Sequence, residues 1–209
     1  MGKPNQGSRL ERYRAVKSTN IILTGLGGQG ILFMTRILAQ SALDNGYNVM
    51  GAETHGMAQR GGSVVSHLRL GEVQGSLVQA GTAHLLLALD EHEGYRNLSF
   101  LSRKGRLFVN ANANHFPSED VKVFLEKREI VYGAVPAAVM AQELGVPRSS
   151  NLALLGFFSA FSENPFTFRE ILQTIEKISP DRSKEINRKV FEAGHQKGKG
   201  NSVGFVIDC

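Results

Sequence analysis

The sequence predicts an α/β fold in which helices flank a mostly parallel sheet, and three observations lead to that prediction. A short apolar run at residues 20–24 is followed first by closely spaced glycines and then by a helical pattern of apolar residues. Continuous apolar runs recur at residues 85–89 and 107–110, as is typical of buried parallel strands. After Pro136 the apolar spacing becomes helical, which predicts a helical C-terminal part. The 209 residues suffice for a single domain of this kind.

The first predicted unit has the order strand, helix, strand. Residues 20–24 form the strand, and residues 31–44 carry apolar side chains at helical spacing. Asn45-Gly46 ends that helix, because glycine readily adopts the left-handed conformation after a last helical turn. Residues 47–52 are the second strand. Such a unit favours parallel strands joined by a right-handed crossover.

The later elements continue this alternation. Strands are predicted at residues 63–70, 85–89, 107–110 and 129–132, and helices at residues 91–102, 136–144, 149–161, 167–178 and 181–193. Residues 111–120 have a loop-like composition with asparagines and Pro117, and residues 194–204 a flexible, basic one. The predicted organisation is a flexible basic leader over residues 1–19, one domain over residues 20–193 and a flexible tail over residues 194–209.

The composition limits the classes of function. The net charge of +5 comes from basic residues that are dispersed or near the ends, and no nucleic-acid-binding motif accompanies them. No apolar run reaches the roughly 18 residues of a membrane helix, and the N-terminal residues lack the apolar core of a secretory signal. The one cysteine, Cys209, excludes an internal disulfide framework. We therefore expect a cytoplasmic protein that binds neither nucleic acid nor membrane.

The glycine turn contains Gly25, Gly27, Gly28, Gln29 and Gly30 and lies between the first strand and the first helix. In a Rossmann fingerprint the first glycine permits the tight turn, the second admits a pyrophosphate, and the third allows close helix packing. Glu53 stands about where a ribose-binding carboxylate is expected. The domain is therefore predicted to be Rossmann-like. Three interpretations stay open: a dinucleotide site, a purely structural turn, and a site for another anion or a partner chain.

A second glycine segment, Gln59-Arg60-Gly61-Gly62, precedes the strand predicted at residues 63–70. The glycines permit backbone conformations that other residues avoid, and Arg60 could bind a phosphate or carboxylate through two hydrogen bonds. The alternative is a plain glycine-rich connection with a solvated arginine. His55 and His67 flank the segment without the spacing of a zinc site, so no metal is predicted.

Together these segments resemble a known family. Residues 24–31, Thr-Gly-Leu-Gly-Gly-Gln-Gly-Ile, and residues 53–69, which contain His-Gly-Met-Ala-Gln-Arg-Gly-Gly, are similar to the gamma-type subunit of 2-oxoacid:ferredoxin oxidoreductases. The second segment is most similar to the indolepyruvate branch of that family. The resemblance is strong over residues 20–70, weaker from 85 to about 155, and carries little specificity beyond.

The resemblance implies a reaction in which a 2-oxoacid is decarboxylated on thiamine diphosphate, clusters pass electrons to ferredoxin, and coenzyme A accepts the acyl group. This chain has no Gly-Asp-Gly thiamine motif and no Cys-x-x-Cys. Thiamine diphosphate and the [4Fe–4S] clusters are therefore expected on a large partner subunit, and no cofactor on this chain alone.

The expected partners are that large subunit, ferredoxin indirectly, and a second copy of this chain. The nine residues of the two glycine segments are expected to line the approach of coenzyme A or of the partner, and no catalytic residue is predicted. Two alternatives are an NAD-dependent dehydrogenase, for which no Tyr-x-x-x-Lys pair is found, and a Rossmann-like interaction module without a redox role.

Overall fold

The computed structural model describes residues 18–55, 61–161 and 165–200. Six strands of this part form one sheet in the order β2-β3-β1-β4-β5-β6. Neighbours are parallel from β1 through β4 and β5 to β6, whereas β3 is antiparallel to both β1 and β2. The strand bounds are β1 (Thr19–Leu26), β2 (Val49–His55), β3 (Ser63–Leu70), β4 (Ala83–Ala88), β5 (Leu101–Asn110) and β6 (Val131–Val135). The predicted α/β class with a mostly parallel sheet is confirmed.

The first predicted unit contains an insertion. β1 and β2 run in the same direction, but β3 lies between them and pairs with β1 from Thr19–Leu70 to Leu26–Ser63. Ser66, His67 and Leu68 of β3 are all buried, as expected for an internal strand. The carboxyl ends of β1 and β2 are therefore separated by one strand, which matters for the site described below.

Helices cover both faces of the sheet. Their bounds are α1 (Ile31–Asp44), α2 (Glu91–Arg96), α3 (Glu119–Lys127), α4 (Ala137–Glu143), α5 (Ser150–Ser159), α6 (Phe168–Ile178) and α7 (Asp181–Gly200). Buried side chains of α1, α5, α6 and α7 form a core on one face, and α3 contributes Leu125 to the core on the other. Within the described ranges, no helix combines the length and the apolar character needed to span a membrane.

Helix α5 is buried along its whole length because α7 packs directly on its backbone. Gly156 of α5 faces the carbonyl of Phe191, and Gly194 of α7 faces the carbonyl of Ala153. A side chain at either glycine would collide with the opposing main chain. These glycines lower intrinsic helix propensity but allow an approach that no larger residue permits.

Four predicted elements are wrong in extent. The helix predicted at residues 91–102 ends at Arg96, and a short 3-10 turn at Leu98–Phe100 leads into β5. The strand predicted at residues 107–110 therefore begins earlier, at Leu101. The loop predicted at residues 111–120 ends at Ser118, where α3 begins, and that helix was not predicted. The helix predicted to end at residue 193 continues to Gly200, because Gly194 and Gly198 pack against α5 instead of ending the helix. Residues 1–17 and 201–209 lie outside the described residues, so the division into leader, domain and tail stays a prediction.

Candidate functional site

The first glycine segment forms a tight turn at the carboxyl end of β1. The side chain of Gln29 folds back, and its Oε1 accepts a hydrogen bond of 2.7 Å from the backbone N–H of Leu26. A β-carbon added to Gly25 would lie 2.6 Å from that same oxygen, so a side chain there would displace Gln29 from this hydrogen bond. Gln29 therefore closes the turn in this structure, and its carbonyl oxygen is already engaged.

Gly30 ends the turn and begins α1 with φ of 84°, a left-handed value that favours glycine. Asn151, at the start of α5, donates a hydrogen bond of 3.1 Å from Nδ2 to the Gly30 carbonyl. A β-carbon at Gly30 would lie 2.5 Å from that nitrogen. The third glycine of the fingerprint thus serves close packing, as its position predicts. Asn151 was not predicted as a site residue; its one signal in the sequence is a polar residue at the start of an apolar helix.

The two glycine segments meet, and we call their contact the glycine junction (Gly25–Gly30 with Gly61–Gly62). The Gly27 N–H donates a hydrogen bond of 2.9 Å to the Gly62 carbonyl. Gly28 and Gly61 have φ of 98° and 70°, and none of the described residues places a heavy atom within 4 Å of where a side chain would begin. The structure therefore brings together seven of the nine predicted site residues. Gln59 and Arg60 lie outside the described residues, so their place in the site stays a prediction.

The position of Glu53 does not match a dinucleotide site. In a Rossmann fold the ribose carboxylate lies on the strand beside the glycine turn. Here β3 lies between, so Glu53 on β2 is separated from β1 by two strand spacings, or roughly 10 Å. The Gly27 N–H also donates to the Gly62 carbonyl, so this N–H is not free to bind a pyrophosphate. Both features disfavour the NAD interpretation of the fingerprint.

The glycine junction stands where ligands commonly bind in α/β proteins. The helix that follows β1, α1, packs on one face of the sheet. The helix that follows the neighbouring parallel strand β4, α2, packs on the opposite face, where its Gly94 lies against Val109. Adjacent parallel strands whose helices leave on opposite faces create a crevice at their carboxyl ends. The junction lies at the carboxyl end of β1, beside β4, where this rule places a ligand.

A buried carboxylate supports the junction from the β4 side. Glu93 of α2 is only 3% exposed, and its Oε2 accepts a hydrogen bond of 2.5 Å from the Ser63 hydroxyl. Its Oε1 lies 3.4 Å from the Arg96 guanidinium. Its backbone N–H donates to Asp90, which caps the helix. Glu93 was not predicted as a site residue, because acidic residues are common in the first turn of a helix.

Besides the bond from Ser63 to Glu93, a chain of hydrogen bonds through Asn97 and Thr24 links α2 to β3. Asn97 donates from Nδ2 to the Glu93 carbonyl at 2.9 Å and to Thr24 Oγ1 at 3.1 Å. The Thr24 hydroxyl donates in turn to the Val64 carbonyl at 3.2 Å. Ser63 and Val64, which directly follow the second glycine segment, are thus both tied to α2.

The contacts that the described residues make with His67 are structural. Its Nδ1 accepts a hydrogen bond of 3.2 Å from the Val78 N–H, and its ring meets Phe100 edge to face at 5.4 Å. Burial lowers the pKa of His67, which favours the neutral ring that this acceptor role requires.

With this geometry in place, comparison with known proteins identifies the family. Residues 20–197 match the sequence profile of the family described as "Pyruvate ferredoxin/flavodoxin oxidoreductase". The chain belongs to this family. The resemblance inferred from the glycine segments is therefore confirmed, and the chain is a subunit of a 2-oxoacid:ferredoxin oxidoreductase.

Individual relatives agree. Indolepyruvate oxidoreductase subunit IorB of Thermococcus kodakarensis is 33% identical over 199 residues, which cover 88% of this chain and 98% of the relative. The gamma subunit of a keto/oxoacid ferredoxin oxidoreductase from Geobacter sulfurreducens superposes with a TM-score of 0.68 at 21% identity, covering 86% of this chain and 98% of that one.

A larger protein contains the same fold. 2-Oxoglutarate:ferredoxin oxidoreductase from Magnetococcus marinus, solved with 2-oxoglutarate, coenzyme A and succinyl-CoA bound, superposes with a TM-score of 0.71 at 17% identity. The match covers 88% of this chain and 32% of that one. The fold of this oxidoreductase subunit thus also occurs as about one third of a longer polypeptide.

Proposed function

We propose that this chain is the small subunit of an oxidoreductase that converts indolepyruvate or a related aryl pyruvate to its acyl-CoA and reduces ferredoxin. The observation that carries the proposal is the full-length match to an indolepyruvate oxidoreductase subunit, which leaves 2% of that relative uncovered. The wording of residues 53–69, which is most similar to the indolepyruvate branch, supports the same substrate class.

The catalytic centres belong, in this proposal, to a large partner subunit. When bound there, thiamine diphosphate supplies an electron sink for decarboxylation, and [4Fe–4S] clusters carry the electrons away. One cluster requires four thiolates, whereas this chain has one cysteine. The residues of this chain therefore do not fit a cluster, and its contribution is to shape and close the assembly.

The glycine junction is our proposed contact with coenzyme A or with the partner beside it. α1 begins at the junction, its first turn contains no acidic residue, and its N-terminal N–H groups favour an anion. The described residues leave the space beside Gly28 and Gly61 open, so a phosphate could approach the main chain there. Arg60, adjacent to Gly61 in sequence, is the expected cation. A cytoplasmic location and contacts between two copies stay predictions.

Co-production with the large subunit encoded by the same host tests the assembly. Isolation of a stable complex that contains thiamine diphosphate and clusters, and that reduces ferredoxin only when both chains are present, is expected. Indolepyruvate, phenylpyruvate, pyruvate and 2-oxoglutarate should then be compared by kcat/KM, with the aryl pyruvates highest. A preference for pyruvate or 2-oxoglutarate would reject the substrate class while leaving the subunit role intact.

Substitution of Arg60 tests the coenzyme A contact. In the complex, Arg60→Ala should raise the apparent KM for coenzyme A by about tenfold, the loss expected for one hydrogen-bonded charge, with little change in the KM for the 2-oxoacid. Arg182→Ala, at an exposed position of α7, is the matched control and should change neither constant. An unchanged KM for coenzyme A in Arg60→Ala would count against this contact.

A further inference from the structure

The start of β3 is held at three consecutive residues by three different elements. The Gly62 carbonyl accepts from the Gly27 N–H, the Ser63 hydroxyl donates to Glu93, and the Val64 carbonyl accepts from Thr24. These contacts come from the glycine turn, from α2 and from β1. Gly61-Gly62 has the greatest backbone freedom in this region, so its position depends on what fixes the residues after it.

Of the three contacts, the one to Glu93 is the strongest. A hydrogen bond to a carboxylate is shorter and roughly twice as strong as one between neutral groups, and this one measures 2.5 Å. Glu93 itself is held in place, because its backbone is fixed by Asp90 on one side and by Asn97 on the other. A rigidly held, buried carboxylate therefore restrains the residue next to Gly62.

Stability alone does not account for a carboxylate at this position. A buried carboxylate is unfavourable unless it is well paired, and the cation that the described residues place near Glu93 is Arg96, whose side chain is 68% exposed and lies 3.4 Å away. A neutral glutamine could accept the Ser63 hydrogen bond without that penalty. The charge instead strengthens the restraint on Ser63, which is useful where a loop must hold one position.

We propose that Glu93 is a positioning residue: through Ser63 it sets the Gly61–Gly62 backbone against the Gly25–Gly30 turn, and so sets the affinity of the assembled enzyme for coenzyme A. The inference rests on the proposed function of the glycine junction. Glu93 acts through another residue: its carboxylate contacts Ser63 and Arg96, and Ser63 directly follows the second glycine segment.

Kinetics of the complex test the functional half of this inference. Glu93→Ala should raise the apparent KM for coenzyme A by about tenfold, with the kcat at saturating coenzyme A and the KM for the 2-oxoacid nearly unchanged. Ser63→Ala should give a similar shift, and the double variant no further one, because both remove the same contact. Glu93→Gln, which keeps an acceptor for Ser63 but removes the charge, should give a KM for coenzyme A between those of the wild type and Glu93→Ala.

Hydrogen exchange tests the structural half without relying on coenzyme A. In Glu93→Ala, faster exchange is expected at residues 61–64 and unchanged exchange in β5 and β6. Glu170→Ala, which removes the capping box at the start of α6, is the matched control: it destabilises a distant helix and should leave both residues 61–64 and the KM for coenzyme A unchanged.

Three results would overturn the inference. Faster exchange throughout the sheet in Glu93→Ala would make the residue a general stabiliser. An unchanged KM for coenzyme A in Glu93→Ala, while Arg60→Ala still raises it, would show that the position held by Glu93 is not used. If neither variant changes that KM, the proposed contact of the junction with coenzyme A fails, and this inference fails with it.

Discussion

The backbone N–H of Gly27 donates a hydrogen bond of 2.9 Å to the carbonyl of Gly62. This bond joins two glycine segments that are distant in sequence, and it engages the second glycine of the fingerprint, the one that admits a pyrophosphate in a dinucleotide site. The fingerprint therefore has a different use in this oxidoreductase subunit. Its second glycine receives the protein's own backbone, and its third receives Asn151.

Gly30→Ala tests the requirement at the end of the turn. The substitution combines a left-handed backbone with a side chain directed at Asn151, so we expect a loss of roughly 2–4 kcal/mol in the free energy of unfolding. Gly28→Ala, which has a positive φ but open space, should lose only about 1 kcal/mol. Urea denaturation of both variants measures the difference. Equal losses would show that Asn151 moves aside and that the packing is not restrictive.

Much of the fold was predictable because its signals are local. Ser63–Leu70 alternates as a half-buried strand should, and its predicted and observed bounds coincide. The glycine turn and α1 were likewise correctly predicted, since apolar periodicity and closely spaced glycines mark them directly. What the pattern could not show was that β3 pairs between β1 and β2, because pairing order depends on contacts between segments distant in sequence.

The parts of the site that sequence reasoning missed share that cause. Asn151 and Glu93 are ordinary residues in their own helices and acquire a role only by meeting Gly30 and Ser63 in the folded chain. The end of α7 was misplaced for the same reason. Glycine usually weakens a helix, but Gly194 and Gly198 are favoured by their contact with α5.

The contact between α5 and α7 yields a second prediction. A methyl group at Gly156 or Gly194 would meet the opposing backbone, which cannot adjust as a side chain can, so each alanine variant should lose about 3 kcal/mol or more. The matched control is Gly200→Ala at the end of α7, where the described residues place nothing within 4 Å; it should be neutral or stabilising by up to about 1 kcal/mol. Thermal unfolding followed by circular dichroism measures all three variants. Wild-type stability in Gly156→Ala would contradict the close packing.

Buried histidines predict how stability depends on pH. Burial lowers the pKa of His67 and of His195, and the charge of Lys199 lowers that of His195 further. The Ser159 hydroxyl donates to the Gly156 carbonyl, so it accepts from Nδ1 of a neutral His195. Below the unfolded value of about 6.5, the unfolded chain binds protons that the folded chain does not. The free energy of unfolding should therefore be greatest above about pH 6.5 and fall as the pH falls through the lowered values.

Urea unfolding at pH 7.5, 6.5 and 5.5, values that bracket the unfolded histidine pKa, measures this dependence. Asp44, whose pKa is lowered by its hydrogen bond to Lys177, loses its contribution only near and below its ordinary value of 3.8, outside that range. His67→Gln, which keeps an acceptor for Val78, should flatten the profile. Stability that is constant or rises towards pH 5.5 would contradict the assignment of neutral, buried rings.

A buried hydroxyl without a hydrogen-bond partner gives the last prediction. Ser66 of β3 is fully buried, and among the described residues its Oγ has no partner, so folding removes that group from water without compensation. Ser66→Ala should therefore raise the free energy of unfolding by about 1 kcal/mol, or the midpoint of thermal unfolding by roughly 2–4 °C. Ser159→Ala is the control with the opposite expectation. The Ser159 hydroxyl is hydrogen-bonded to both Gly156 and His195, so its removal should lower the free energy of unfolding by about 1–2 kcal/mol. Destabilisation of Ser66→Ala by as much as Ser159→Ala would mean that the Ser66 hydroxyl is satisfied in solution.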